Sequence, residues 1–196
     1  MIILGVDTSL PLLSVALIRD DAVLGAVALE GKGSRNEKLL PAIDWLLTET
    51  NVQRADIDLY AVTRGPGSFT GVRIGLATVQ GMALALGKPV CAMSTHEAIA
   101  LPVERSVIAD DAGRGEFYLS VYENGRFIEP PHIACAVPPG AMMIADVLRN
   151  INVALRCAQK AAAIAQHNRL ADYADATPIY VRLAEAEVKL QQKRDA

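Results

Sequence analysis

Residues 65–75 read Gly65-Pro66-Gly67-Ser68-Phe69-Thr70-Gly71-Val72-Arg73-Ile74-Gly75. They lie between an apolar strand-like stretch (Leu59, Tyr60, Ala61, Val62) and a long apolar helix-like stretch that ends near Gly87. Glycines at a strand-to-helix junction let the backbone turn through positive φ and approach another group closely. A helix N-terminus at this point presents unpaired N–H groups and the positive end of its dipole, both suited to an anion. Ser68 and Thr70 are each candidates to cap it. The same letters also fit a plain tight turn, with Gly71 and Gly75 small for close helix packing. The run is not a P-loop, because no Gly-Lys-Ser/Thr follows.

Working outward from the run, Ile2 to Val6 reads as a strand ending in the turn Asp7-Thr8-Ser9-Leu10-Pro11. Leu12 to Ile18 and Ala22 to Leu29 are strand-like, so the chain should open with an antiparallel meander. Ser34 and Glu37 form a capping-box pattern before an amphipathic stretch, in which Leu39, Leu40, Ile43, Leu46 and Leu47 share one helical face. Pro41 should kink that helix or mark its start. Asp58 to Thr63 and Lys88 to Met93 read as further strands on either side of the glycine run and its helix. The order β-β-β-α-β-α-β implies a mixed sheet with crossover helices.

A second lobe should begin near Leu101-Pro102, dividing the chain into residues 1–102 and 103–196. Ser106 to Ala109 and Glu116 to Tyr122 look like strands, with Glu123-Asn124-Gly125-Arg126 as a hairpin turn. Pro130-Pro131 and Pro138-Pro139 suggest a loop-rich middle. Met142 to Asn150, Cys157 to Tyr173 and Val181 to Arg194 read as helices, the last packing back on the first lobe. So few elements make this lobe a trimmed one.

Composition excludes several classes. With 52% apolar and 21% charged residues the chain can bury a core and is no disordered segment. A net charge of −3 gives no general pull toward nucleic acid. Cys91, Cys135 and Cys157 are widely spaced and read as buried reduced thiols, and His96, His132 and His167 show no metal-ligand spacing. Met1 leads straight into a strand with no basic leader, and Lys88-Pro89 interrupt the longest apolar run. A soluble cytoplasmic protein is expected. From Val72 to Leu86 only Arg73, Thr78 and Gln80 are polar. One face carries Val72, Leu76, Val79, Ala83 and Leu86, another Ile74, Ala77, Gly81 and Ala85. A helix apolar on both faces needs a second cover, from its own chain or from a partner.

Together with Gly5-Val6-Asp7-Thr8-Ser9 and Asp111-Ala112-Gly113-Arg114-Gly115-Glu116-Phe117-Tyr118, the 65–75 run closely resembles the bacterial TsaB (YeaZ) family. The likeness is good from residue 1 to about 120 and weak beyond. That family is the non-catalytic subunit of the machinery making threonylcarbamoyladenosine in tRNA. The resemblance implies an α/β fold of the actin-like ATPase (ASKHA, ribonuclease-H-like) type, two-lobed with the second lobe reduced. It further implies a pseudoenzyme scaffold acting with TsaD and the ATPase TsaE next to the anticodon of tRNAs reading codons that begin with adenine. The chain would be a homodimer when alone and would meet tRNA only through the complex. No membrane partner is implied.

At residue level the resemblance makes Gly65, Gly67, Ser68, Phe69, Thr70, Gly71, Arg73 and Gly75 the family motif, and Asp7, Thr8 and Ser9 a vestigial phosphate loop. A working actin-like site needs a second Asp-x-Gly-Thr/Ser turn and an adenosine-binding Gly-Gly. Here Arg114 stands at the hydroxyl's place, and Gly125 and Gly140 stand alone. The His-x-x-x-His metal pair of TsaD has no counterpart in Ser34-Arg35-Asn36-Glu37-Lys38. Hence no metal, no catalytic residue and no required cofactor are expected, although ATP or ADP could sit at the subunit interface of the complex. The implied docking face comprises Leu39, Ile43, Leu46, Leu47, Val72, Leu76, Val79, Ala83 and Leu86. Asp110, Asp111, Arg114 and Glu116 either line the interlobe cleft or form a solvated hairpin. Two other functions compete: an ATP-dependent actin-like kinase or transferase with its own site, and a peptidase.

Overall fold

Successive residues of the first strand, β1 (Ile2–Asp7), alternate between two buried worlds. Leu4 and Val6 join one core, whereas Ile3 joins another on the opposite face. β4 (Leu59–Thr63) repeats the alternation, with Tyr60 and Val62 on the first side and Leu59 and Ala61 on the second. A strand buried on both faces reads as a continuous apolar run, and its period of two sorts the side chains. A computed structural model describes residues 1–30 and 35–181, the side chains of residues 35 and 36 excepted.

β1, β2 (Leu12–Arg19) and β3 (Ala22–Glu30) form the antiparallel meander, with Leu4 opposite Leu17 and Val15 opposite Val27. β4 and β5 (Val90–Met93) add in parallel, giving the order β3-β2-β1-β4-β5. α1 (Arg35–Glu49) and α2 (Phe69–Leu86) cover one face of this sheet; α3 (Thr95–Ile99) and α5 (Val153–Gln166) lie on the other side. Ser68 caps α2 by accepting the Gly71 N–H at 3.2 Å, and Gly87 closes it in the left-handed region at φ +62°. Thr70 therefore lies inside the helix rather than at its cap. α1 runs through Pro41, in its second turn, having begun at Arg35. The Ser34 half of the proposed capping box lies outside the described residues.

A second sheet holds β6 (Arg105–Gly113), β7 (Glu116–Glu123), β8 (Arg126–Ala134) and β9 (Met142–Met143), in the order β8-β7-β6-β9. Three antiparallel strands and a parallel fourth repeat the first sheet's order β3-β2-β1-β4, with no fifth strand among the described residues. The fold is thus actin-like with its second lobe reduced. The turn at Asn124-Gly125 has both residues at positive φ, +48° and +75°, as a two-residue hairpin of this twist requires.

Four expectations fail here. Pro130-Pro131 lie within β8, which tolerates prolines because it is an edge strand. Met142-Met143 pair in parallel with Ile108-Ala109 instead of starting a helix, which is confined to α4 (Ile144–Val147). The helix expected over 157–173 begins earlier, at Val153, and ends at Gln166, with a separate 3-10 turn over Leu170–Tyr173. It is this α5, lodged by Ala154, Cys157, Ala158 and Ala161, that packs on the first sheet. The terminal helix expected from Val181 lies outside the described residues apart from Val181 itself. Cys91 and Cys157 are buried free thiols, but Cys135 is exposed on the reduced lobe.

Candidate functional site

β1 and β4 both end in polar residues, Asp7 and Thr63, and both are buried. Asp7 Oδ1 accepts the Ser9 hydroxyl at 2.6 Å, the Ser9 N–H at 3.2 Å and the Thr63 hydroxyl at 2.5 Å. The Ser9 hydroxyl also meets that of Thr95 at 2.9 Å. Thr8 turns the other way and donates its hydroxyl to the Gly71 carbonyl at 2.6 Å, in the first turn of α2. The Ser9 carbonyl accepts the Ser68 N–H at 2.7 Å. The first turn and the glycine run therefore grip each other.

Two glycines are fixed by this grip. Gly67 sits at φ +150°, and a Cβ there would lie 2.4 Å from the Ser9 carbonyl oxygen; a Cβ on Gly75 would lie 2.3 Å from Thr8 Oγ1. Close backbone approach is the reason for glycine at both. The run is the tight turn of the second reading. Its Ser68 and Gly71 N–H groups are already taken inside the chain.

A strap from the far end of the chain closes the run. The Ile179 N–H donates to the Arg64 carbonyl at 2.7 Å. Arg64 Nη1 pairs with Asp175 at 3.0 Å, and Arg73 Nε donates to the Tyr180 hydroxyl at 2.6 Å. The Arg73 guanidinium lies 3.9 Å from the Phe69 ring centroid, and the rings of Phe69 and Tyr180 stand 4.7 Å apart. Arg73 and Phe69 thus serve to hold the segment 175–180. Nothing in the spacing of the motif announced this, though Tyr180 is an aromatic residue two places after Pro178.

Between the two lobes, Ser9, Gly67, Ser68, Asp110, Asp111 and Tyr118 line a cavity of about 560 Å³. Asp111 is thus placed in the cleft, its Oδ1 accepting the Gly113 N–H at 2.6 Å; Arg114 and Glu116 do not line it. Asp110, another of the four charged-turn residues, lines it too, and Tyr118, named in the sequence only as a letter of the motif, is a further wall residue. Burial chiefly pushes the Asp110 carboxyl up to about 6, with the charges of Asp111 and Asp7 adding and a backbone hydrogen bond at Asp111 opposing. A carboxyl raised in the folded state is most stabilising when protonated, so this contribution is lost as pH rises from about 4 through about 6. Asp110→Asn should therefore raise the urea midpoint at pH 7 relative to the parent and change it little at pH 4.

This site does not fit a nucleotide polyphosphate. The Thr8 and Ser9 hydroxyls are taken within the chain, and the nearest charged side chains of the cleft wall are carboxylates. Like charge in a partly buried cleft opposes phosphate. His96 is buried, with Nδ1 2.7 Å from the Ser120 hydroxyl, and burial pulls its imidazole down to about 3, so it stays neutral. Among the described residues no group of three or more His, Cys, Asp or Glu side chains could hold a metal ion.

The implied docking face needs correction. Leu39, Ile43, Leu46, Leu47, Val72, Leu76, Val79 and Ala83 are all buried inside the chain, against the first sheet. Of the nine positions only Leu86 is exposed. The branched stripe of α2 faces its own sheet because large side chains fill the space over a twisted sheet, leaving the small-residue stripe outward. Ala77, Gly81, Leu84 and Ala85 are exposed, as are Leu40, Pro41 and Trp45 on α1. Leu84 is 85% exposed. Among the described residues α2 alone is long and apolar enough to cross a membrane, yet its inner stripe is core.

The comparisons with known proteins agree with this architecture. The family model described as TsaD: tRNA N6-adenosine threonylcarbamoyltransferase matches residues 32–165. The Bacillus subtilis tRNA threonylcarbamoyladenosine biosynthesis protein TsaB is 33% identical over 76% of this chain, and its Escherichia coli counterpart 37% over 64%. The matches span less than two thirds of those relatives, 65% and 58% of their lengths. An uncharacterised Mycobacterium tuberculosis protein is 30% identical over 94% of this chain and 93% of its own. YeaZ from Pseudomonas aeruginosa superposes with a TM-score of 0.68 at 26% identity, covering 91% of this chain and 99% of that one. With the family model covering most of the chain and the motif residues meeting in one place, the chain belongs to the TsaD family of threonylcarbamoyladenosine proteins, on its TsaB (YeaZ) branch.

Proposed function

We propose that the chain is a non-catalytic subunit in the formation of threonylcarbamoyladenosine on tRNA, acting as a scaffold for a TsaD-type transferase and a TsaE-type ATPase. The observation that carries this reading is the self-contained first turn. The Thr8 hydroxyl is bonded to Gly71 and the Ser9 hydroxyl to Asp7, which leaves an actin-like frame without free phosphate-binding hydroxyls. ATP or ADP then enters at the subunit junction of the complex, and tRNA is met through the complex in the cytoplasm. Docking uses the exposed residues of α1 and α2, toward the transferase and, when the chain is alone, toward a second copy. A peptidase finds no support: His96 is neutral, buried and bonded to a buried serine, so it is out of reach of a peptide.

Reconstitution tests the proposal. TsaD-type and TsaE-type proteins with tRNA, threonine, bicarbonate and ATP should form the modified nucleoside only when this chain is added. The chain alone with magnesium should turn over no ATP. Modification that runs equally well without the chain would overturn the reading, as would ATP turnover by the purified chain that disappears in Asp7→Ala.

A further inference from the structure

A second cavity, of about 390 Å³, opens at the seam between the lobes, away from the cleft that holds Ser9 and Asp111. Its charged and polar wall is Glu97, Arg156, Gln159, Lys160, Arg169 and Tyr173. Arg156 and Lys160 stand four residues apart on α5, so they share a helical face and repel one another. Lys160 Nζ donates to the carbonyls of Glu97 and Ala100, the latter at 2.8 Å, leaving its third proton for another acceptor. Burial lowers the Lys160 pKa, with Glu97 opposing and Arg156 lowering it further.

Arg156 is half-buried, yet among the described residues its side chain makes no hydrogen bond and no ion pair. The carboxylate in the wall is turned toward Tyr173, whose hydroxyl donates to Glu97 Oε1 at 2.6 Å, and no ion pair joins it to Arg156 among the described residues. Arg169 is turned toward Asp172 at 3.0 Å. Two adjacent cations thus face one space, and among the described residues its lining holds one carboxylate, that of Glu97.

We propose that this cavity binds a small phosphate monoester, its phosphate held between the Arg156 guanidinium and Lys160 Nζ. A guanidinium fork beside a point-charge ammonium matches a dianionic phosphate. Ala163 and Ile164 provide an apolar floor for the ligand's body, and Gln159 offers an amide to its hydroxyls. The site is separate from the proposed scaffold role, so either can fail without the other.

The test uses the full chain with inorganic phosphate, ribose 5-phosphate and AMP as probes, read by thermal melting and by calorimetric titration. All three should bind, and at least one ester should bind more tightly than phosphate and raise the melting midpoint. Arg156→Gln removes a side chain that makes no hydrogen bond or ion pair among the described residues, so it should melt no lower than the parent without ligand. Its affinity for each probe should fall about ten-fold or more, as loss of a charge-assisted bond implies. Equal affinity in parent and Arg156→Gln would overturn the proposal, because the anion would then sit elsewhere. Absence of ester binding at millimolar concentration would overturn it too, even if bare phosphate bound.

Discussion

Gly5→Ala is expected to destabilise the chain by about 3 kcal/mol, read as a fall in the urea midpoint with an unchanged slope. Gly5 lies in the middle of β1 on the face toward α5. A Cβ there would stand 2.2 Å from the Ala154 carbonyl oxygen and 3.0 Å from Ala158 Cβ. The first obstacle is backbone, so no rotamer change relieves it and the helix must lift from the sheet. Lifting α5 would open the core that Cys157, Ala158 and Ala161 share with Ile3 and Ala61. Gly81→Ala provides the contrast. It lies in α2 with nothing within 4 Å of the added methyl, and the same substitution there should stabilise by up to about 1 kcal/mol. A Gly5→Ala variant as stable as the parent would show that α5 does not lie on β1 as described.

The second large effect separates the two faces of α2. Leu76 is 3% exposed against the first sheet, whereas Leu84, two turns on, is 85% exposed. Leu76→Glu forces a carboxylate among Val62, Val72 and Val79. An ion buried without a partner costs several kcal/mol even after relaxation, comparable to the whole stability of a domain of this size. This variant should be unfolded or insoluble by circular dichroism and sedimentation. Leu84→Glu should keep the parent's spectrum and melting midpoint, and lose both self-association and capture by a TsaD-type partner. If Leu84→Glu and Trp45→Glu both associate as the parent does, the outer faces of α2 and α1 are not the docking surface.

The short apolar runs of β1 and β4 and the turn residues at Asn124-Gly125 announce strands and a hairpin directly, because a bounded apolar run and positive φ are local properties. Which stripe of α2 is dry was not local: both are apolar, and hydrophobicity cannot rank them. Side-chain size was a partial signal, with Val72, Leu76 and Val79 on the dry side and Ala77, Gly81 and Ala85 on the other, but small Ala83 is buried and large Leu84 exposed. Met142-Met143 illustrates the opposite limit. Two residues have no period, and only pairing with Ile108-Ala109 makes them a strand. In the cleft, the charged turn could be read only as either cleft wall or solvated hairpin; the pairing of β6 with β7 brings Asp110, Asp111 and Tyr118 to the wall and leaves Arg114 and Glu116 off it.

The strap over the glycine run changes what the motif is. Its letters occupy eleven consecutive places, yet Arg64 and Arg73 reach residues 111 and 107 positions away. The loop's shape is therefore specified at both ends of the chain. A piece cut after the second sheet would still display every motif letter, but Phe69 would lose its aromatic neighbour and Arg64 its carboxylate. Engineering that grafts the run onto another frame must carry a counterpart of Asp175 and Tyr180 with it.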